Sequence, residues 1–597
     1  MAGYTPRLEE IDFVLNEVAD LEAISKLNGY QHADPDTVRA LLDEAARFFS
    51  EVIAPLYRVG DTQGSVLEDD GTVRTPDGFK DAYEKFVEAG WAGFHMPEEW
   101  GGGGMPYMVG VVIEEMFKTA NMAFSLCPML THSAVEALVA HGSPELQSAY
   151  LENLVSGRWT GTMNLTEPQA GSDLGAVRVR AEPQGDGSYR IFGTKIFITW
   201  GDHDLTDNVI HLVLARTPDA APGTKGISMF LVPKYVLDEN GEPGQRNDLN
   251  VVSLEHKLGI HASPTCVVSF GDDGEGAVGY LVGEEQQGMR NMFTMMNPAR
   301  VGVGMEGLAM SERAYQKALS YARERVQGRA VGSESRESVP IIEHPDVRRN
   351  LLTMRSYIEA MRALLYVTAE TGDRARRGDD GESRAAASDR LAVLTPIIKA
   401  WSTDIGVEMA SIGIQVHGGM GYIEETGAAQ IFRDSRIAPI YEGTNGIQSI
   451  DLVLRKLPLE GGRVIAELVG EMREVVGEMG ADPALARFRD NLGDAIDGLA
   501  RTSTWLGERL ASGDLDSALA GATPYMRQIG TVVGGWLMAR SALAASAAAD
   551  RYSPDFISAK LQTARFYGEQ LLPAANAAIP AVEAGGDALE PAVFADL

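Results

Sequence analysis

What most limits the fold of this chain is a change of hydrophobic period along it. From about residue 35 to 160, apolar residues recur every three or four positions. Thr37–Ile53, Gly78–Ala89, Met108–Phe117 and Ser133–Ala140 therefore read as amphipathic helices, interrupted by a loop at Pro97 and Gly101–Gly104. Between about 161 and 283 the pattern becomes short β-rich runs: Val177–Ala181, Tyr189–Thr199, Val209–Ala215, Ile227–Val232, Thr265–Phe270 and Gly279–Val282. Gly185-Asp186-Gly187 and Pro222-Gly223 punctuate them, which predicts a compact antiparallel sheet. Helical periodicity returns near 286 and lasts to the end, with loops expected at Gly328–Pro345 and Gly372–Ser383. A sheet enclosed by helical segments points to the α+β class. With 597 residues, several packed units are needed. The expected domains are an N-terminal helical domain (1–160), a central β-barrel or sandwich domain (161–285), a helical bundle (286–455) and a further C-terminal helical domain (456–597).

Composition removes some function classes. A formal net charge of −32 opposes any non-specific grip on nucleic acid or anionic membrane. Two cysteines, Cys127 and Cys266, cannot build a disulfide framework and read as small core side chains in a reducing interior. The apolar stretch Ile529–Ala548 is broken by Arg540 and reads as a bundle helix rather than a membrane span. Glu9, Glu10 and Asp12 replace the basic-then-apolar pattern of a secretory signal, so a cytoplasmic protein is expected. His203 and His211 lack partners at ligand spacing, so no metal is assigned. Glu98-Glu99 and Glu114-Glu115 read as solvated faces or caps, and His417 as structural.

Four segments carry groups suited to chemistry. In Tyr441-Glu442-Gly443-Thr444-Asn445-Gly446 a carboxylate sits beside glycine at the start of a helical pattern. There the backbone approaches a ligand closely, although a charged loop residue next to a helix cap would look the same. Met163 to Asp173 offers the hydroxyls of Thr166 and Ser172 and the free backbone of Gly171, in what could equally be a polar turn. Gly193 to Thr199 is a strand ending in a hydroxyl. Gln415 to Tyr422 is a glycine-rich loop after a helix, suited to a pyrophosphate, although glycine ends helices routinely.

In this order and at these separations, together with Arg300 and Glu324-Arg325, the segments resemble the acyl-CoA dehydrogenase superfamily over roughly residues 35 to 455. The C-terminal extension, Glu255-His256-Lys257, Gly259 to Thr265 and Met292 to Met296 look most like the subgroup that includes 3-methylmercaptopropionyl-CoA dehydrogenases. The resemblance implies a FAD enzyme that desaturates an acyl-CoA to the trans-2-enoyl-CoA. In such enzymes Glu442 would take the α-proton while hydride leaves to the flavin. FAD would lie between the β domain and the later helical domain, contacted by Met163, Leu165, Thr166, Gly171, Ser172, Phe197, Thr199, Thr444 and Gly446. Arg325, Gln415, Gly418 and Gly419 match positions that reach the FAD of a neighbouring subunit, which implies at least a dimer. Ser172, Asn297, Arg300, Tyr441 and Gly443 would border the CoA substrate, Arg300 by its positive charge unless it is a plain surface arginine. Electron-transferring flavoprotein is the acceptor implied.

The chain also departs from the family pattern. Phe197 stands where tryptophan is common, and Arg325-Val326-Gln327-Gly328-Arg329 lacks the usual phenylalanine before the glycine. Some relatives place the base on a helix just before the matching arginine; here that residue is Ala299, which returns the role to Glu442. Two other readings share the core: an acyl-CoA oxidase using oxygen, and a non-catalytic flavin-binding relative that associates with DNA. Residues 456–597 have no Lys/Arg cluster, which opposes the second.

Overall fold

The computed structural model of the chain describes residues 3–332, 334–480 and 482–589, and in it the change of period is a change from helix to sheet. The strands are β1 (Val66–Leu67), β2 (Val73–Arg74), β3 (Thr160–Asn164), β4 (Arg180–Pro183), β5 (Tyr189–Thr199), β6 (Val209–Ala215), β7 (Ser228–Pro233), β8 (Tyr235–Leu237), β9 (Pro243–Arg246), β10 (Leu249–Leu254), β11 (Thr265–Phe270) and β12 (Ala277–Leu281). The chain forms two compact units, one of residues 48–105 and 120–302, the other of 1–47, 106–119 and 303–597.

The first unit is built on an eight-stranded sheet ordered β10-β11-β5-β12-β7-β6-β3, with β4 also on β5. The expected antiparallel sheet is in fact mixed, because β3 runs parallel to β6. β3 is buried along its whole length, and its polar residues hide it from a pattern that looks for apolar runs. β5 carries the sheet around a bend. Residues Tyr189 to Phe192 pair with β4, while Gly193 to Thr199 pair with β11. At the bend Gly193 has φ +127°, and a Cβ there would stand 2.9 Å from Val179. Ile191, Ile198, Val213, Phe230, Cys266, Val268 and Phe270 fill the core. The Met122–His141 helix covers β3 and begins well before the expected Ser133. It is apolar on nearly every face, so it lacks the amphipathic period that marks a surface helix. Its length and hydropathy would suit a membrane span, but 89% of that window is buried within the protein.

The second unit is helical. Its long members are the Gly288–Glu324 helix (from residue 303 on), Pro345–Arg377, Gly381–His417, Ala486–Ser512 and Ala522–Ala547. The loop expected at Gly372–Ser383 shrinks to residues 378–380. Its polar residues have other work: the buried Asp373 carboxylate accepts the N–H groups of Tyr107 and Met108 at 2.9 and 2.8 Å and the Tyr30 hydroxyl at 3.0 Å. The C-terminal extension packs directly on the bundle. A Cβ at Gly530 would stand 2.3 Å from Trp401, so the Ala522–Ala547 helix lies hard against that indole.

Glu115 corrects another expectation. It is 1% exposed, and Arg362 donates to it at 2.6 Å while also pairing with Glu312 at 2.9 Å. The network continues through Arg7–Glu312, Lys560–Glu10, Lys560–Glu359 and Arg355–Glu359. Four carboxylates and four cations thus tie the chain's first helix to helices far along the sequence. Buried charges are tolerated when matched in this way. Cys127 and Cys266 are both fully buried free thiols, as expected.

Candidate functional site

In the sheet-bearing unit, the segment after β3 is clamped from below and open above. Glu167 is buried and accepts from Lys195 Nζ at 2.8 Å and from the N–H groups of Arg178 and Val179 at 2.7 and 3.1 Å. Burial alone would raise its pKa; the Lys195 charge and these donors overcome that and hold it below the ordinary value. Lys195 also donates to the Leu165 carbonyl at 2.9 Å, and the Ile196 N–H donates to the Thr166 carbonyl at 2.9 Å. The segment is therefore fixed to β5, while Gly171 and Ser172 remain exposed and a Cβ at Gly171 would meet nothing within 4 Å.

Phe197 sits where the register of β5 against β11 shifts. The bulge turns the ring outward, leaving it 58% exposed at φ +60°. An L-residue in that region costs on the order of 1–3 kcal/mol and persists where the surroundings dictate it. Here they do: Lys195 and Ile198 on either side are buried, and the Thr199 carbonyl accepts from Thr162 Oγ1 at 2.7 Å. An outward flat ring beside hydroxyls and open glycine backbone fits a planar, phosphate-bearing cofactor. Met163 lies buried in β3 beneath this surface. On the Gly288–Glu324 helix Asn297 is exposed, and the Arg300 guanidinium lies 5.6 Å from the Phe293 ring centre.

In the helical unit two groups form. At one end, His417 is buried, stacks on Tyr321 with ring centres 4.6 Å apart and bonds to the Gly413 carbonyl through Nδ1 at 2.7 Å. This structural histidine holds the end of the Gly381–His417 helix beside the end of the Gly288–Glu324 helix. The exposed residues Arg325, Gln415, Gly418 and Gly419 share that end, and a Cβ on either glycine would meet nothing within 4 Å.

The second group surrounds Glu442. Glu442 and Gly443 both have positive φ, +55° and +82°. Their carbonyls are pinned: Gln448 Nε2 donates to that of Glu442 at 3.1 Å and Lys399 Nζ to that of Gly443 at 2.7 Å. The amide of Asn445 holds the next residue, donating to Ala400 O, Thr403 Oγ1 and Asp404 Oδ1 and accepting from Lys399. Thr444 caps the Asn445–Asp451 helix by accepting the Ile447 N–H. Just before Glu442, the Tyr441 hydroxyl donates to Glu306 Oε2 at 2.5 Å. The half-buried carboxyl of Glu442 thus rides on a segment anchored at each residue from 441 to 445.

Glu306, Lys399 and Asn445 are absent from the expected site. A signal for Glu306 was present: it is the one carboxylate in Val301–Met310, a run otherwise of glycine and apolar residues. Lys399 is similarly the one charged residue of Leu394–Ser402. Among the described residues no ligand geometry supports a metal at Glu442.

Comparison with known proteins gives four consecutive family matches. Models for the acyl-CoA dehydrogenase N-terminal, middle and C-terminal domains match residues 35–158, 162–272 and 286–457. A model described as acetyl-CoA dehydrogenase C-terminal like matches 468–591. The chain is 46% identical over 590 residues to a 3-methylmercaptopropionyl-CoA dehydrogenase of Ruegeria pomeroyi, covering 98% of this chain and 99% of that one. It is 33% identical to a broad-specificity linear acyl-CoA dehydrogenase of Mycobacterium tuberculosis, with 96% of each covered. Among solved structures, Caenorhabditis elegans ACDH-11 in complex with C11-CoA superposes with a TM-score of 0.77 at 20% identity, covering 100% of this chain and 97% of that one.

Proposed function

The chain belongs to the acyl-CoA dehydrogenase family, whose members use FAD to desaturate acyl-CoA thioesters, and from that premise we propose that Glu442 is the base of its reaction. The observation that carries this is the pinning of residues 441–445, which holds one carboxylate in a strained, reproducible position. A thioester α-proton is too weakly acidic for an aqueous carboxylate, so the base must be placed against it and water kept away. Glu442 takes that proton, and its own backbone N–H polarises the thioester oxygen as enolate character grows. FAD, when bound, accepts the hydride from the β-carbon. Phe197, Gly171, Ser172, Thr166 and Thr199 would hold the flavin, with Thr444 and Gly446 beside the base. Arg300 and Asn297 would receive the CoA moiety.

The acyl group we propose is short or medium, with 3-methylmercaptopropionyl-CoA as first candidate, supported by the name of the 46% identical relative. The electrons would pass to an electron-transferring flavoprotein, in a step of the β-oxidation type. The enzyme would work as a homodimer, with Arg325, Gln415, Gly418 and Gly419 reaching a second copy's cofactor. The exposure of Met420, Tyr422 and Ile423 beside them supports this. Two buried free thiols and the acidic composition suit a cytoplasmic setting.

The test is anaerobic titration of the purified flavoprotein with butyryl-, octanoyl-, palmitoyl- and 3-methylmercaptopropionyl-CoA, following the oxidised flavin band. Glu442→Gln should keep flavin and lose roughly 10³-fold in bleaching rate. Near-normal bleaching by that variant would move the base elsewhere.

A further inference from the structure

The side chain of Tyr441, next to Glu442, is anchored to a second carboxyl that the proposed reaction does not use. Glu306 is 1% exposed on the Gly288–Glu324 helix, among Val303, Met305, Leu308 and Ala309, all buried. One oxygen accepts the Tyr441 hydroxyl at 2.5 Å; the other, Oε1, is buried with no hydrogen-bond partner. An ionised carboxylate left like this would be among the costliest groups a core can hold, whereas a protonated one is tolerable. We propose that Glu306 is a positioning residue for proton abstraction: a second carboxyl that fixes Tyr441 and, by its charge, tunes Glu442. This rests on Glu442 being the base.

The groups acting on Glu306 come from three elements besides its own. Lys118 lies on the Tyr107–Ala120 helix, Lys399 on the Gly381–His417 helix, and Tyr441 with Glu442 on the segment before Asn445. Burial pushes Glu306 up to about 7; Lys118, the Tyr441 hydrogen bond and Lys399 oppose the rise, and the negative charge of Glu442 adds to it. Neither lysine settles the balance. Burial lowers Lys118 itself, and Lys399 is already engaged by the Gly443 carbonyl and Asn445. The charge of Glu442 is one of the groups that raise Glu306, and by reciprocity an ionised Glu306 raises the proton affinity of Glu442. Below about pH 7 Glu306 is neutral. Above it, a second negative charge raises the proton affinity of Glu442 and makes it a stronger base. No proton passes to Glu306 in the reaction; the α-proton stays on Glu442.

The experiment compares wild type, Glu306→Gln and Glu442→Gln as flavin-loaded enzymes, with butyryl-CoA and 3-methylmercaptopropionyl-CoA as probes. The bleaching rate of wild type should rise, on the order of two- to threefold, through pH 7 as the charge on Glu306 forms and strengthens Glu442 as a base. Glu306→Gln, permanently neutral, should lose that inflection. Difference infrared spectra of the enzyme without substrate supply a readout independent of turnover. Asp373, raised to about 6 by burial, contributes a buried-carboxyl band to both proteins, so the readout is the wild-type minus Glu306→Gln difference: a protonated-carboxyl band present in wild type alone, which should disappear as pH passes about 7. A Glu306→Gln pH profile superimposable on that of wild type overturns the proposal. So does a wild-type spectrum without a band titrating near pH 7, which also decides the matter should the variant not fold. Loss of bleaching in Glu442→Gln with an unchanged profile in Glu306→Gln sinks this inference alone. Bleaching that survives in Glu442→Gln removes the base assignment and this proposal with it.

Discussion

Two glycine-to-alanine substitutions should move stability in opposite directions, and the structure sets both signs. Gly307 lies where the Gly288–Glu324 and Gly381–His417 helices cross. A Cβ on it would stand 2.0 Å from the Ser402 carbonyl oxygen, and one on Gly406 would stand 2.6 Å from Gly307 Cα. The obstacle is backbone, so no side chain can swing aside. Ordinary contact begins near 3.4 Å, so the helices must part by about 1.4 Å at this point. A radial gap of even ~1 Å forfeits up to half of each lost dispersion contact, and overpacking of this kind costs about 3 kcal/mol. Alanine's better helix propensity returns about 1 kcal/mol, leaving a net loss near 2 kcal/mol. Gly470, inside the Arg463–Glu478 helix, has nothing within 4 Å of its Cβ position, so Gly470→Ala should gain about 1 kcal/mol. In a unit this large, each kcal/mol shifts the melting temperature by roughly 1–2 °C. Thermal unfolding by circular dichroism should therefore place Gly307→Ala a few degrees below wild type and Gly470→Ala slightly above it. Gly307→Ala should also bleach more slowly, because the crossing sets Glu306 and Lys399 against the 441–445 segment. A Gly307→Ala protein as stable as Gly470→Ala would refute the close crossing and the packing argument built on it.

Two further outcomes follow from the charged groups. Lys195→Met breaks a buried pair, a loss of about 3–5 kcal/mol in general; here it should fall near 3 because Glu167 keeps the N–H groups of Arg178 and Val179. Since that pair clamps the Thr166–Ser172 segment, the variant should also release flavin at a lower temperature, and unchanged flavin retention would contradict the clamp. The pH dependence of stability carries the sign of Glu306. Its folded value of about 7 exceeds the ordinary 4.5, so between these values the folded chain holds a proton that the unfolded chain has released. This contribution is fully present below pH 4.5 and is lost as pH rises through 7, amounting to about 3 kcal/mol. The stability difference between wild type and Glu306→Gln should shift against wild type by that amount between pH 5 and 8. A constant difference would mean that Glu306 ionises normally.

The fold was legible wherever apolar runs are bounded by turn signals. β5, β6 and β11 begin and end at the expected residues because apolar residues and turn signals bound them. β3 was not legible, because Thr160, Thr162 and Asn164 point polar atoms inward. Thr160 meets His203 at 2.9 Å, Thr162 the Thr199 carbonyl at 2.7 Å, and Asn164 Nδ2 the His211 ring at 3.2 Å, partners that no local pattern can supply. Glu115 misled for the same reason: its partner Arg362 is 247 positions away, and helical spacing next to Glu114 looks like a solvated face. Glu442 stands out in the sequence because glycine beside a carboxylate is a local signal. Its supports, Lys399 and Gln448, meet it only in three dimensions, although a lone charge in an apolar run marks both Lys399 and Glu306 as buried.

The helical unit contains two sets of buried carboxylates with opposite fates, and cation supply separates them. Glu10, Glu115, Glu312 and Glu359 share Arg7, Arg355, Arg362 and Lys560, with contacts as short as 2.6 Å. There the charges of Arg7 and Arg362 overcome burial and hold Glu312 well below its ordinary range. Guanidinium suits that task because it stays charged when desolvated and meets two acids at once, as Arg362 meets Glu115 and Glu312. The cations acting on Glu306 are the lysines Lys118 and Lys399, and a buried ammonium gives up its proton far more readily than a guanidinium. An arginine at either position would hold its charge and pull Glu306 down toward permanent ionisation. With lysines, the carboxyl next to Tyr441 stays poised near neutrality, which is where a group must titrate if it is to alter the strength of its neighbour under working conditions.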